Sequence, residues 1–480
     1  MEITKNLVHS LAPDAASVAT GDKLVKKNSF GKLFKDKDET VIFGECSGSG
    51  ANPYVVSVDF INPEAPIARC NCPSRKIPCK HALGLMIAYA EKKSFAVAEI
   101  PEDILSKRGK IQKRDENKEK KLQEALDGEA KPKKINMAAL QKKIASQLEG
   151  LDIAQNLLSK LVRDGMGAIT PKASFELEKQ AKQMEDHYLT GIQKSFVDLA
   201  YTLSSNEDRE ATYTSGYEQI VRLYALLKKG RDYLQSRYDN PETPMDIETD
   251  IEALLGFPWK LTELLEAGLG EKDATLAQLA FSSYDNEVLK QNEEVGVWIN
   301  FSSGQVVKTI NIRPYKALKY IQENDSTNNI LTTSLLYKYP GGINPRVRWD
   351  GFSLREMTDV DHKKLLSFAG ESFAPVLKEV KAALKTPLSD KNPFIFVRYK
   401  TIGEVSGELV IEDAEEERIV LSDADEKGWL NTIGTIHTIG EGVNSYNACL
   451  LRLKYAPDKG EFSASPFALL NEKSILKLGF

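Results

Sequence analysis

The segment CNCPSRKIPCKH, residues 70–81, places four metal-ligating side chains within twelve positions. Cys70 and Cys72 form a Cys-x-Cys pair, and Cys79 and His81 follow as a Cys-x-His pair after a six-residue loop. Three thiolates and one imidazole complete a tetrahedral shell for one Zn²⁺, and few other roles need these residues so close together. Because a complete shell leaves no position for a substrate water, the pattern predicts a structural zinc rather than a catalytic one.

The sequence around this segment predicts a small antiparallel sheet followed by one helix. Residues 40–46, 54–60 and 66–70 have the composition of strands, and turn-forming residues separate them. Residues 82–91 carry apolar side chains at helical spacing, which places Cys79 and His81 in the first helical turn. There the helix dipole favours a thiolate over a thiol. We therefore expect the zinc ligands at the junction of sheet and helix.

Length and composition restrict the class of protein. A chain of 480 residues is too long for one core, so about three domains are expected. No apolar run approaches the roughly 18 residues that span a bilayer, and the N-terminus lacks the pattern of a signal peptide. The chain has only five cysteines, which disfavours a disulfide framework, and Cys46 and Cys449 are expected to be buried as small apolar side chains. These features predict a cytoplasmic protein without a membrane-spanning segment.

Changes in composition along the chain predict the order of its domains. Residues 107–134 are rich in Lys and Glu and almost free of core-forming side chains, as in a linker. Helical spacing of apolar residues then extends to about residue 269 and indicates a bundle, after which short strands alternate with turns. We predict an α+β multidomain chain whose third part is a barrel-like or curved sheet. The predicted parts are a metal-binding domain at 1–99, a charged linker at 100–137, a helical domain at 138–270 and a β-rich α+β domain at 271–480.

The net charge of −5 is unevenly distributed, because residues 1–98 and 107–134 are basic and the remainder is acidic. Arg75, Lys76 and Lys80 lie within or beside the metal-binding segment and are candidate contacts to nucleic-acid phosphates. A second interpretation is local, because three thiolates, a neutral imidazole and Zn²⁺ sum to about −1, which nearby cations compensate. The sequence is compatible with both interpretations, contact with nucleic-acid phosphates and compensation of the zinc site's charge.

Motifs of enzymes are missing from the sequence. It contains no Gly-rich phosphate loop, no dinucleotide fingerprint and no Gly-x-Ser-x-Gly. Asp359, Asp361 and His362 suggest a metal or acid/base group, but capping of a helix start is the favoured explanation for them. We therefore expect a protein that is not an enzyme.

The metal-binding segment resembles the SWIM zinc finger, Cys-x-Cys-x(n)-Cys-x-His, which Cys70, Cys72, Cys79 and His81 match ligand for ligand. The resemblance covers about residues 40–95 and is strongest to bacterial members. It implies zinc binding, strands followed by a helix, and contacts with DNA or proteins. Long bacterial members are often encoded beside MoxR-type AAA+ ATPases and von Willebrand factor A (VWA) proteins, so the resemblance implies a complex with such partners.

Two functions follow from the motif, the charges and the resemblance. The favoured one is a non-enzymatic zinc-binding interaction module or adaptor that joins protein partners in a larger assembly. The alternative is a DNA- or RNA-binding protein that uses the basic N-terminal third. Steep salt dependence of nucleic-acid binding would distinguish the alternative from the adaptor.

Overall fold

The protein is described by a computed structural model that covers the chain except for a few short segments and one longer one. The residues outside the description are 1–2, 4, 6–7, 9–10, 49–51, 62–65, 75, 111–135, 205–207, 288, 318–325, 425–427, 457–458 and 480. The chain divides into two compact units, the first comprising residues 1–121 with 317–322 and the second comprising 122–316 with 323–480. Among the described residues, no helix is both long and apolar enough to cross a lipid bilayer.

The first unit contains one mixed sheet, one helix packed on the sheet, a second helix packed against the first, and a further helical segment at residues 102–110. Helix α1 (Ala15–Lys26) precedes strands β1 (Phe30–Lys35), β2 (Val41–Cys46), β3 (Tyr54–Asp59) and β4 (Ile67–Cys70), and helix α2 (Lys80–Ala90) precedes the short strand β5 (Ala96–Val97). The strand order is β4-β3-β2-β1-β5, antiparallel except for the β1–β5 pair. The predicted small sheet followed by a helix with the ligands between them is confirmed.

A single apolar core joins α2 to the sheet. Ile42, Val56 and Val58 on the strands and Leu83 and Met86 on the helix are all fully buried in this core. Burial of such side chains contributes roughly 1.5–3 kcal/mol each relative to their exposure. The sheet therefore fixes the start of α2, which carries two of the predicted ligands.

Residues 102–110, at the end of the first unit, are helical and attach to the sheet through Arg108. The Arg108 guanidinium donates hydrogen bonds to the buried carboxylate of Asp59, with the shortest N–O distance 2.7 Å, and Arg69 contacts the same carboxylate at 3.4 Å. Burial alone would raise the pKa of Asp59, but these charged hydrogen bonds outweigh burial and lower it. The start of the predicted 100–137 linker therefore packs against the sheet of the first unit.

The second unit begins with a helical region, as the sequence predicts. Its helices are α3 (Met137–Asp164), α4 (Pro171–Ala181), α5 (Gln183–Asp186), α6 (Thr190–Ser204), α7 (Arg209–Asp239), α8 (Ile251–Leu255) and α9 (Leu261–Glu266). Asn136 caps α3 by accepting a hydrogen bond from the Ala139 N–H. Ile144, Leu151 and Leu158, spaced seven residues apart, line the buried face of α3.

The sequence overestimates the helical content of residues 247–269. Only α8 and α9 form there, because Gly256 adopts a left-handed backbone with φ of 111° and Pro258 follows it. A Cβ atom at Gly256 would also lie 2.4 Å from Thr190 Oγ1, so no larger residue fits at this break. Trp259 and Leu265 then pack against the β region.

The β-rich region contains two sheets with helices between and beside their strands. The first sheet has strands β6 (Gly270–Asn286), β7 (Gln291–Asn300), β8 (Val306–Pro314), β9 (Ile330–Lys338), β10 (Val347–Arg348) and β11 (Ser353–Arg355). Helices α10 (Asp359–Leu366) and α11 (Phe373–Leu384) follow. The second sheet has β12 (Phe394–Arg398), β13 (Thr401–Val405), β14 (Glu408–Glu412), β15 (Arg418–Leu421), β16 (Ala448–Ala456), β17 (Glu461–Leu470) and β18 (Ile475–Lys477), with α12 (Ile433–Ile439) before β16.

The two sheets share an apolar core, which makes the region barrel-like as predicted. Val297 and Ile299 of the first sheet, Leu450 of the second sheet and Leu365 of α10 meet in this core. Strands β7 and β8 pair as an antiparallel hairpin, which fits the predicted alternation of short strands with turns. The α+β multidomain fold class is therefore confirmed, whereas the exact domain boundaries stay predictions.

Candidate metal centre

Strand β4 delivers the first pair of ligands. Cys70 is its last residue and pairs with Val56 of β3. The ladder then continues for one residue, because the Val55 N–H donates to Asn71 Oδ1 at 2.9 Å and the Asn71 N–H donates to the Val55 carbonyl at 3.3 Å. Asn71 is thus held to β3, and the Cys residues on either side of it are positioned together.

Helix α2 delivers the second pair. Cys79 is its N-cap residue, with an extended backbone, and its carbonyl accepts a hydrogen bond from the Leu83 N–H at 3.0 Å. His81 lies in the first turn and is 3% exposed. The ring of Tyr54 packs against the His81 ring with a centroid distance of 4.7 Å. Packing of the helix on the sheet therefore fixes both side chains.

The four ligand atoms form one compact cluster. The sulfur and nitrogen ligand atoms of Cys70, Cys72, Cys79 and His81 all lie within 4.8 Å of one another. The His81 Nδ1 atom is 3.7 Å from the Cys70 sulfur and 3.9 Å from the Cys79 sulfur. Ideal Zn–S and Zn–N bonds in a tetrahedron give S···N separations of about 3.6 Å. The four side chains are therefore positioned to bind one zinc ion.

Contacts among the ligands also prepare the site for a cation. The Cys70 thiol and then the His81 ring hydrogen-bond to Cys79 and lower the pKa of Cys79 well below that of a free thiol. The same hydrogen bond, together with burial, raises the pKa of Cys70, so Cys79 is the thiolate of this pair. The thiolate is the form that binds metal. By contrast, Cys46 lies in the core outside the ligand set, and burial raises its pKa to about 11. Cys46 and Cys449 are both buried, as predicted.

The three candidate nucleic-acid contacts, Arg75, Lys76 and Lys80, differ in their surroundings. Lys76 forms an ion pair with Asp14 at 2.6 Å, and this hydrogen bond lowers the pKa of Asp14 to about 2. Asp14 also caps α1 through the Ser17 N–H, so Lys76 joins the metal loop to that helix. Lys80 is exposed at the start of α2, and Arg75 lies outside the described residues. The structure therefore gives Lys76 a local role, while its contact with nucleic acid stays a prediction, as do those of Arg75 and Lys80.

The cluster Asp359, Asp361 and His362 belongs to a helix start. Thr358 and Asp361 form a capping box at the N-terminus of α10, and Arg355 binds both oxygens of the Asp361 carboxylate. Among the described residues, the zinc-type cluster is the only group of three or more His, Cys, Asp and Glu side chains with metal-binding spacing. Helix capping, the favoured explanation, is thus confirmed.

Exposed apolar side chains beside the ligands are a feature that the sequence analysis missed. Ile77, in the loop between the two ligand pairs, is 75% exposed, and Val55, which pairs with Asn71, is 59% exposed. The sequence contained a signal for Ile77, because an isoleucine in a metal loop has no helix or strand face to bury it. These side chains make the surface beside the zinc ligands partly apolar.

Comparison with known proteins supports the identity of this module. Residues 54–90 match the model of the SWIM zinc finger family. The comparison with curated proteins gives no match. Among solved structures, one described as a murine DNA-binding protein bound to double-stranded DNA is 10% identical, with 42% of this chain and 97% of that chain covered and a TM-score of 0.20. Residues 54–90 therefore resemble a SWIM zinc finger in sequence, and their ligands have the matching geometry.

Proposed function

We propose that this chain is a non-enzymatic adaptor whose zinc-stabilised SWIM module binds a protein partner in a larger assembly. The observation that carries the proposal is the complete ligand set, since Cys70, Cys72, Cys79 and His81 fill all four tetrahedral positions of a zinc ion. A zinc ion held in this way stabilises the junction of β4 and α2 and has no position for a reacting water. The module then acts through its surface.

The surface beside the zinc ligands favours protein over nucleic acid as the partner. Ile77 and Val55 expose apolar area there, which protein interfaces bury. Two nearby cations are engaged within the first unit, because Lys76 pairs with Asp14 and Arg69 contacts Asp59. Phosphate binding would require such cations to be available.

The resemblance to long bacterial SWIM proteins supplies the finer part of the proposal. An AAA+ ATPase of the MoxR type and a VWA protein are the partners that it implies. Three cysteine thiolates at a zinc site are suited to a reducing compartment, so we place this assembly in the cytoplasm.

Affinity capture with matched baits tests the proposed function. The zinc-loaded full chain should retain a specific protein, identified by mass spectrometry, whereas Ile77→Asp should lose that protein while keeping its zinc. Val97→Asp is the matched control, because Val97 is equally apolar and also exposed but lies on β5, outside the metal loop. Recovery of an AAA+ or VWA protein would support the finer proposal.

Two results would contradict the adaptor role. One is the absence of any protein whose capture depends on Ile77. The other is binding of duplex DNA or RNA with steep salt dependence that Lys76→Glu with Lys80→Glu abolishes, which is the behaviour of a nucleic-acid-binding protein.

A further inference from the structure

A wide cleft of about 1480 Å³ lies within the second unit, between the helices and the β-rich region. Its helical wall consists of α6 and the N-terminal half of α7, and its other walls are the turn between β6 and β7 and the cleft-facing residues of β16 and β17. The volume exceeds the roughly 300–1,000 Å³ of ordinary small-molecule pockets. The cleft has room for a stretch of polypeptide.

The lining of the cleft is strongly acidic. Carboxylates outnumber Lys and Arg by eight to three among its lining residues. Asp198 and Glu218 stand on the helical wall, and Asp285, Glu287 and Glu293 stand on the turn side. Glu218 and Glu287 are exposed and form no hydrogen bond or ion pair with any residue that the structure describes. Neither carboxylate is therefore neutralised by a direct contact within the described part of the fold.

The cleft is also lined by a serine that is largely buried and whose hydroxyl makes no hydrogen bond with a described residue. Ser465 on β17 is 7% exposed and lies opposite Arg452 of β16. The neighbouring pair, Leu453 and Ala464, points into the apolar core on the other face of the sheet, so Ser465 and Arg452 face the cleft. In the described part of the chain, Ser465 makes no side-chain hydrogen bond. The Ser465 hydroxyl is therefore available to a hydrogen-bonding ligand in the cleft.

Asp198 is a second group that the fold leaves unsatisfied. It accepts no hydrogen bond from a described residue. Burial raises its pKa, and Lys194, one helical turn earlier, partly opposes this effect. A cationic ligand in the cleft would stabilise the ionised carboxylate.

The arrangement of these groups distinguishes between kinds of cation. Seven of the eight carboxylates are divided between the helical wall and the β6–β7 side, and Asp423 follows β15. Within the described residues, the zinc-type cluster is the only set with metal-binding spacing. A single metal ion is therefore a poor fit. Carboxylates distributed along a wide cleft, together with hydroxyl and amide groups, instead suit an extended chain that carries several positive charges and its own hydrogen-bonding groups.

We propose that this cleft binds a lysine- and arginine-rich polypeptide segment of a protein partner. The proposal rests on the proposed adaptor function, because it specifies the chemistry of one protein partner of the adaptor. It uses no zinc ligand, so the cleft and the SWIM module are separate binding sites on one chain.

Fluorescence anisotropy with a labelled twelve-residue Lys/Arg-rich peptide tests the cleft in about 0.15 M salt. The zinc-loaded full chain should bind the peptide, and Glu218→Lys with Glu287→Lys should weaken binding at least about tenfold. The control is Asp232→Lys with Glu404→Lys, which changes the net charge equally at exposed positions outside the cleft lining. This control should bind within about twofold of the unaltered chain. Circular dichroism checks that both variants fold.

Several outcomes would overturn the inference. They are no binding by the unaltered chain, equal weakening in both double variants, or an unchanged affinity after Glu218→Lys with Glu287→Lys. The inference would also be contradicted if spermine binding depended on Glu218 and Glu287 while peptide binding did not. The ligand of the cleft would then be a small polyamine. His81→Ala, which removes a zinc ligand, should leave peptide affinity unchanged. Loss of peptide binding with normal zinc content and partner capture would reject the cleft alone, not the adaptor function.

Discussion

The zinc site draws its four ligands from twelve positions, whereas the acidic cleft draws its carboxylates from residues 198 to 423. The four zinc ligands are positioned to share one cation, and packing of α2 on the sheet holds them. The groups of the cleft are different, because Glu218, Glu287 and Ser465 lack partners in the described part of the fold. One region is organised to stabilise the protein, and the other leaves polar groups available to a ligand.

Loss of a zinc ligand should have the largest effect of any substitution considered. Binding of a structural zinc is worth about 10–16 kcal/mol in small domains, and much of this is folding free energy. We expect His81→Ala to lower the zinc content below one per chain and to increase hydrogen exchange in β3 and α2. Exchange in α3 of the second unit should not change.

Cys46→Ala is the matched control for this substitution, because Cys46 is a buried cysteine of the same sheet outside the ligand set. It should keep one zinc per chain. Full protection of β3 and α2 in chelator would show that the metal does not stabilise the module.

A carboxylate that is satisfied within the fold provides a contrast to those of the cleft. Arg355 and the Thr358 cap hold the pKa of Asp361 well below its usual range. Since the folded-state pKa is lowered, the contribution of Asp361 is present above the unfolded-state pKa of about 3.9 and is lost as the pH falls through the folded-state value.

Asp361→Asn should therefore cost about 1–2 kcal/mol at pH 7 in urea unfolding. The difference from the unaltered chain should become smaller below about pH 4. A constant difference across this range would show that the charge of Asp361 is not what stabilises α10.

Two buried serines allow the same comparison, between a group with a partner in the fold and a group without one, to be made for hydroxyls. Ser174 donates a hydrogen bond to the Ala200 carbonyl at 3.0 Å, whereas Ser465 faces the cleft without a partner in the described residues. Ser174→Ala should lose about 1 kcal/mol of stability, and Ser465→Ala should lose close to none. Equal losses in denaturant unfolding would mean that Ser465 is satisfied within the fold.

The smallest expected effect is on the exposed ion pair of the metal loop. Lys76→Glu breaks the pair with Asp14, and because both side chains face solvent we expect no measurable shift in the denaturant midpoint. Zinc content should also remain at one per chain. A large fall in affinity for DNA in the same variant would instead support the nucleic-acid alternative.

The sequence was sufficient to predict the zinc site, because all four ligands lie in one short segment of the chain. Two closely spaced ligand pairs need only a strand end and a helix start to converge, and the strand and helix patterns around residues 40–91 predicted both. The helix-capping role of Asp361 was predictable for the same reason, since a capping box spans four residues.

Other parts of the fold depend on tertiary contacts that one sequence does not reveal. Strand β6 is 17 residues long. Its first residues, Gly270–Asp273, lack apolar side chains, so the sequence alone does not distinguish them from the end of a helix. Residues 247–269 have helical periodicity, yet the left-handed backbone at Gly256 and the following Pro258 divide them into α8 and α9, and Thr190 packs closely against Gly256 at this break. The cleft is the extreme case, because its walls come from elements more than 200 residues apart.

X-ray absorption at the zinc K-edge shows directly whether the zinc site is closed and structural. A closed shell of three Cys and one His predicts three sulfur ligands at about 2.3 Å and one nitrogen at about 2.0–2.1 Å, with no oxygen. Fewer than three sulfur ligands, with additional light ligands at about 2.0–2.2 Å, would show an open position. That result would contradict a purely structural role and would restore the possibility of zinc-dependent chemistry.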